Sequence, residues 1–287
     1  KDKLIALAER MEGPLATTLK GTGLFAGHPN NIGYFGTLST AEAYDVIGAA
    51  DCIIAFGAWM HFFTTDHGEL LKGKRVIQVN NNPSDIGTFY QPDAVLIADA
   101  GQTANNILYW LDEAEIVPSG FAKELPTHDI SVHPTGDANK STVGCINFEY
   151  ALDRLNEILP KNRIMLTDGG RYITEVWCRV NVPDPKSFHM SDNFAAIGQG
   201  MQQAIGAAHG DRSRPVVLFT GDGGFMMGGL NEFNTAVRTN CDLIVIICND
   251  SAYGAEHIQM LDRQMDPSLT EFDWPSFAEV AKSLGGH

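Results

Sequence analysis

The stretch from Pro215 to Gly254, PVVLFTGDGGFMMGGLNEFNTAVRTNCDLIVIICNDSAYG, constrains the fold of this chain more than any other. An apolar run of strand length ends in Gly221, Asp222, Gly223 and Gly224; a segment of helical character follows, and a second apolar run ends on Asn249 and Asp250. Two such runs joined through a helix predict neighbouring strands of an open parallel sheet, and in such sheets ligands bind at the carboxyl ends of the strands. The glycines let backbone N–H groups come close to an anion, and the helix that follows turns its positive end toward it. Asp222 alone would repel a phosphate. The pattern makes chemical sense with a hard divalent cation between them, Asp222 and a second oxygen ligand about one strand away holding Mg2+ against a diphosphate.

The totals exclude other classes. A formal charge of −15 on 287 residues, with no basic cluster, argues against nucleic acid or an anionic membrane surface as partner. The five cysteines (Cys52, Cys145, Cys178, Cys241, Cys248) have neither CxxC pairing nor interleaved histidines, so they are expected as thiols in a reducing, cytoplasmic compartment. The longest wholly apolar run, 243–248, is far too short to span a bilayer.

Along the chain the same alternation recurs. Helical spacing over 1–13 is stopped by Gly13 and Pro14, and 14–19 reads as a short buried strand followed by a turn-rich loop, KGTGLFAGHPNNIGYFG. Gly21, Gly23 and Ala26 in that loop make a loose GxGxxA match, with His28 and Pro29 where a helix should open. Helix is expected over 40–50 and 103–111, and strand over 51–57, 74–80 and 94–97. GELLKGK (68–74) is not a phosphate-binding P-loop, because Arg75 stands where a metal-binding hydroxyl is needed. The pattern stops over 117–144, which reads as a linker. It resumes with a helix over 148–159, a strand 163–167 running into Asp168, Gly169 and Gly170, an irregular stretch, a small-residue helix after Ser191, and a last helix over 274–284. The expectation is α/β: two doubly wound parallel-sheet domains, 1–116 and 145–287, joined by the linker, with both outer ends looking cut.

GDGGF followed by NDSAYG resembles the thiamine diphosphate motif, in which GDG precedes a pair of Asn or Asp residues by about one strand–helix unit. Together with PLATTLKGTG, HPNNIGYFG, ADCIIAFG, VNNNPSDIG and AAIGQGMQQAIGA, in this order, the chain resembles the acetolactate synthase, pyruvate decarboxylase and benzoylformate decarboxylase superfamily. The resemblance implies that 1–116 is the central, Rossmann-like domain and 145–287 the diphosphate-binding domain. It makes Asp222 the first Mg2+ ligand. The second is Asn249, 27 residues on, or Asp250, if one residue is inserted between Gly224 and Asn234. The backbone carbonyl of Ala252 is then the third. Gly170, Arg171 and Tyr172 stand where the family touches the diphosphate, with Arg171 replacing an amide. Gly221, Gly223, Gly224 and Phe225 of the first motif and Tyr253 of the second complete the implied cofactor contacts. The carbonyl of Ala195 is implied to accept from the aminopyrimidine, and Ile197 to wedge the cofactor into its bent form.

The implied activity is thiamine diphosphate- and Mg2+-dependent decarboxylation and carboligation of 2-oxo acids, a transferase or lyase of acetolactate synthase type. Alternatives are a decarboxylase or lyase on aromatic or acyl-CoA substrates, or a non-catalytic, cofactor-binding regulatory homologue. The activating Glu is implied to come from an N-terminal domain of a neighbouring subunit in a homodimer or homotetramer, so no catalytic residue is expected in this chain and the chain alone is expected to be inactive. FAD in the central domain is a further implication, weakened by Asn80 and Asn82 standing where flavin-binding relatives carry acidic residues.

Overall fold

The computed structural model describes residues 1–191, 194 and 196–287. Two compact units, Lys1–Pro134 and Thr135–His287, make up the chain. Every named strand pairs in parallel, and the strands alternate with helices, which is the doubly wound α/β class expected.

In the first unit α1 (Asp2–Met11) buries Leu7 and ends at Glu12, whose left-handed φ of 53° is followed by Gly13. β1 (Leu15–Thr17) pairs with β2 (Asn31–Tyr34). β2 falls inside the stretch expected as loop. It has only four residues, with Gly33 at φ 84° in its middle, so it carries no readable period; what fixes it is Ile32, buried against Ala43 and Ile47 of α2 (Ala41–Ala49). α2 starts where Thr40 Oγ1 accepts the Ala43 N–H at 3.1 Å. β3 (Cys52–Phe56), β4 (Arg75–Asn80) and β5 (Ala94–Ile97) form a second sheet. α3 (Ala100–Glu113) opens a turn earlier than expected, because Asp99 caps it through the Gln102 N–H at 2.8 Å.

The 117–144 segment is shared between the units. Ile130 is buried with Ile32 and Ile47, and its carbonyl accepts from Thr40 Oγ1 at 2.7 Å. Beyond Pro134, the Gly136 N–H donates to Asp153 Oδ2 at 2.7 Å in the second unit.

That unit opens with α4 (Phe148–Ile158), capped by Asn147. A four-stranded sheet follows in the order β7 (Phe188–Met190), β6 (Ile164–Thr167), β8 (Val216–Gly221), β9 (Leu243–Cys248). α5 (Ile173–Arg179) and β7 occupy the stretch read as irregular; both are too short to show a period. α6 (Gly200–Gly210) lays Met201, Ala204 and Ala208 on Ile164, Val216 and Leu218, its small residues allowing close approach. After β8 the chain goes directly into a helix made of α7 (Asp222–Gly224), a π-helical turn (Phe225–Gly229) and α8 (Leu230–Arg238). α9 (Gly254–Asp262) and α10 (Phe277–Ser283) complete the unit. α10 starts later than expected, at the Ser276 cap, and leaves Trp274 in the connection before it. Among the described residues no helix is long and apolar enough to cross a membrane.

Candidate functional site

Three adjacent strands, β6, β8 and β9, end together and each delivers a carboxylate: Asp168, Asp222 and Asp250. Gly221 pairs with Cys248, so Asp222 and the Asn249–Asp250 segment leave the sheet side by side.

Asp222 is 2% exposed at the start of α7. Its Oδ2 accepts the Trp274 indole N–H at 2.8 Å, and among the described residues no hydrogen bond reaches its other oxygen. Asp250 is half-exposed. Its carboxyl is pushed above the usual aspartate range, first by burial and then by the negative charge of Asp222; Arg171 Nη1, 3.9 Å away, only partly offsets this. The negative charge of Asp222 thus works against the ionised form of Asp250, and a cation between the two would relieve it. Asn249 is placed differently: its Oδ1 accepts the Ser251 N–H at 3.0 Å and closes a local turn. The Ala252 carbonyl lies over α7, since a Cβ on Gly223 would sit 3.9 Å from it. Cys248, between these carboxylates and the core, is pushed up to about 12 by burial and by Asp222 and Asp250. Among the described residues there is no group of three His, Cys, Asp or Glu side chains that could hold a metal ion.

Asp168 was singled out only as a strand end, yet it organises the site. It is 2% exposed; Oδ1 accepts the Gly169 N–H at 2.9 Å and Oδ2 the Gly198 N–H at 2.7 Å. It thus ties the end of β6 to the turn carrying Ile197, whose side chain lies over Gly169. Ala195, the expected aminopyrimidine contact, lies outside the described residues.

The remaining expected contacts divide. Gly170 adopts φ 147° over the ring of Tyr172, and Arg171 is exposed at the rim. The Tyr172 hydroxyl is already shared between the carbonyls of Asp168 (2.9 Å) and Phe219 (3.0 Å), and burial, then Asp168, raises its pKa. Tyr172 therefore builds the floor under Gly221 and has no hydroxyl proton left for a ligand. Phe225 packs in the core against Phe233 and Phe277, leaving its backbone toward the site. Tyr253 covers Gly223.

Two models of one family cover most of the chain: "Thiamine pyrophosphate enzyme, central domain" matches residues 1–107, and "Thiamine pyrophosphate enzyme, C-terminal TPP binding domain" matches 168–287. The chain belongs to the thiamine pyrophosphate enzymes. The strand ends just described, from Asp168 onward, all fall in the thiamine pyrophosphate-binding domain of that family. Among curated relatives, a probable acetolactate synthase large subunit of Methanocaldococcus jannaschii is 28% identical over 99% of this chain and 49% of its own length. A probable 2-ketoarginine decarboxylase of Pseudomonas aeruginosa is 26% identical over 99% and 50%, and a sulfoacetaldehyde acetyltransferase of Alcaligenes xylosoxydans 25% over 97% and 51%. The chain spans about half the length of the curated relatives it matches.

In the first unit the loop at Gly21, Gly23 and Ala26 opens no α-helix before Ala41, so the helix that a GxGxxA fingerprint needs is missing. Asn80 Oδ1 accepts the Asn82 N–H at 3.0 Å, and Asn82 Oδ1 the Ser84 N–H at 3.1 Å. Both amide oxygens serve local turns. A cavity of about 280 Å³ in this unit, touching Leu7, Leu15, Phe25 and Phe56, has no charged side chain in its wall.

Proposed function

We propose that this thiamine pyrophosphate enzyme holds Mg2+ and the cofactor's diphosphate at the ends of β6, β8 and β9, in a protein that decarboxylates a 2-oxo acid and ligates the product to a second carbonyl compound. Asp222, Asp250 and the Ala252 carbonyl are the metal ligands. The observation that carries this is the buried Asp222, with one oxygen free of hydrogen bonds among the described residues, raising the pKa of Asp250 beside it. Those residues fit a hard cation, which prefers oxygen donors and neutralises both charges. Asp250 rather than Asn249 is supported a second way. A π-helical turn takes up one extra residue relative to an α-helix, and Phe225–Gly229 is such a turn, placed where the family spacing would require the insertion.

Thiamine diphosphate, when bound, supplies the nucleophile and the electron sink for breaking the bond to the substrate carboxylate. This chain's residues hold it. The first-turn N–H groups at Gly223 and Gly224 would receive the diphosphate together with the Mg2+, Arg171 would add charge at the rim, and Asp168 sets the turn that would bring Ile197 to the cofactor rings. Activation of the ring by a Glu of a neighbouring subunit, and a homodimer or homotetramer in a reducing, cytoplasmic setting, belong to the same proposal. The acetolactate synthase assignment draws on several of the relatives carrying that name. The test is product analysis of the full-length protein with pyruvate, with and without a second 2-oxo acid or an aldehyde. Acetohydroxy acids are the expected products; free aldehyde alone would replace this reading with simple decarboxylation, and no turnover of any 2-oxo acid would remove it.

A further inference from the structure

Trp274 is 52 residues from Asp222 in sequence, and its indole donates to the carboxylate of a residue that is only 2% exposed. The strap that carries it is sewn to the loop bearing the other metal ligands. Tyr253 N–H donates to the Thr270 carbonyl and Phe272 N–H to the Ser251 carbonyl, both at 2.9 Å, and Ala252 bridges Glu271. The side chains repeat the link: Trp274 stacks on Phe272 with centroids 4.5 Å apart and planes 19° apart, and Phe272 meets Tyr253 edge-on at 4.6 Å. The indole is therefore held from behind while its N–H fixes one carboxylate oxygen.

A free carboxylate rotates about its last torsion and presents either oxygen. Held at Oδ2, Asp222 presents Oδ1, to which no hydrogen bond runs among the described residues. A Lys or Arg in the same place would fix the carboxylate too, but would cancel the charge that attracts a cation; an indole N–H donates without adding charge. From this arrangement we propose that Trp274 is the positioning residue that aims Asp222 at a divalent cation, and that its emission reports the cation's arrival. The proposal rests on the metal-site reading above and deepens it.

The test uses Mn2+ with free thiamine diphosphate, bound Mn2+ being measured by the loss of the free-ion EPR signal, alongside Mg2+ titration of tryptophan emission. Trp274→Phe keeps an aromatic ring beside Phe272, although a smaller one, and removes the N–H. Loss of one hydrogen bond to a charged group is expected to weaken Mn2+ binding about tenfold. The saturable emission change should vanish in this variant, although Trp59, Trp110 and Trp177 remain. Trp274→His, which keeps a ring N–H, should recover part of the affinity, an outcome that a purely structural role would not give. Wild-type affinity or a wild-type emission change in Trp274→Phe overturns the role of Trp274 while the metal site stands. A wild-type chain that binds Mn2+ no better than Asp222→Ala overturns both.

Discussion

Gly223 of the first motif lies under Tyr253 of the second, and adding one methyl group there tests whether the two form a single site. A Cβ on Gly223 would lie 2.5 Å from Tyr253 Cδ1 and 2.6 Å from Cε1. Carbon atoms rest about 3.5–4.0 Å apart, so the ring must retreat by about 1 Å. Behind it stands Phe272, at 4.6 Å, itself stacked on Trp274, so the ring can move only with the 251–253 loop. Overpacking of this kind costs about 1–3 kcal/mol, and it more than cancels the gain of up to about 1 kcal/mol that alanine brings to a helix. Gly223→Ala is thus expected to lower the urea midpoint and to weaken Mg2+ binding about tenfold by shifting Asp250 and the Ala252 carbonyl. A shift of about 1 Å at ligands of a catalytic site can cost on the order of a hundredfold in turnover. Gly206→Ala, in the exposed middle of α6 with nothing within 4 Å, supplies the control and should stabilise by about 0.5–1 kcal/mol. Equal stability and equal Mg2+ affinity of the two variants would refute the packing argument.

Asp168→Asn leaves the shape but aims an NH2 group at an N–H that Asp168 now accepts; a loss of about 2–3 kcal/mol in chemical denaturation is expected, with weaker cofactor binding because the Ile197 turn loosens. Arg163, just before β6, is buried with no carboxylate partner among the described residues; its guanidinium donates to the Pro160 and Asn181 carbonyls and to Asn156 Oδ1, and burial lowers its pKa. Arg163→Ala strips these acceptors and opens a cavity, so a cost of about 3–5 kcal/mol is expected in urea titration. Asp211 is held down to about 2 by the Ser213 hydroxyl and N–H and by Arg214. Because its folded-state pKa is depressed, its contribution is present above the ordinary aspartate range and is lost as pH falls toward about 2; the stability difference between wild type and Asp211→Asn should shrink over that window, and a difference independent of pH would contradict it.

What the sequence disclosed follows from the range over which each signal acts. β8 and β9 are six-residue strands rich in apolar residues and followed by GDGG and ND, so both strands and the place where they end were legible. Ile32 in β2 and Phe188 in β7 are fixed by burial in short strands without a period, so neither strand announced itself. Ile130 packs on residues far away in sequence, which made its segment look like linker. Within the site, Asp222 stood out because glycines on either side need a reason. Asp168 ends its strand in the same manner, followed by Gly169 and Gly170, and comparing the two strand ends would have found it. Trp274 had no local signal at all: its role exists only because the 270–274 strap folds back onto the 251–253 loop.

Calorimetry of thiamine diphosphate binding, with Mg2+ and then with the metal chelated, tests the metal-bridged diphosphate site most directly. The expected result is heat of binding with Mg2+ that disappears on chelation and in Asp222→Ala, and that falls in Asp250→Ala but persists in Asn249→Ala. Binding of equal affinity in Asp222→Ala, or binding indifferent to the metal, would contradict it.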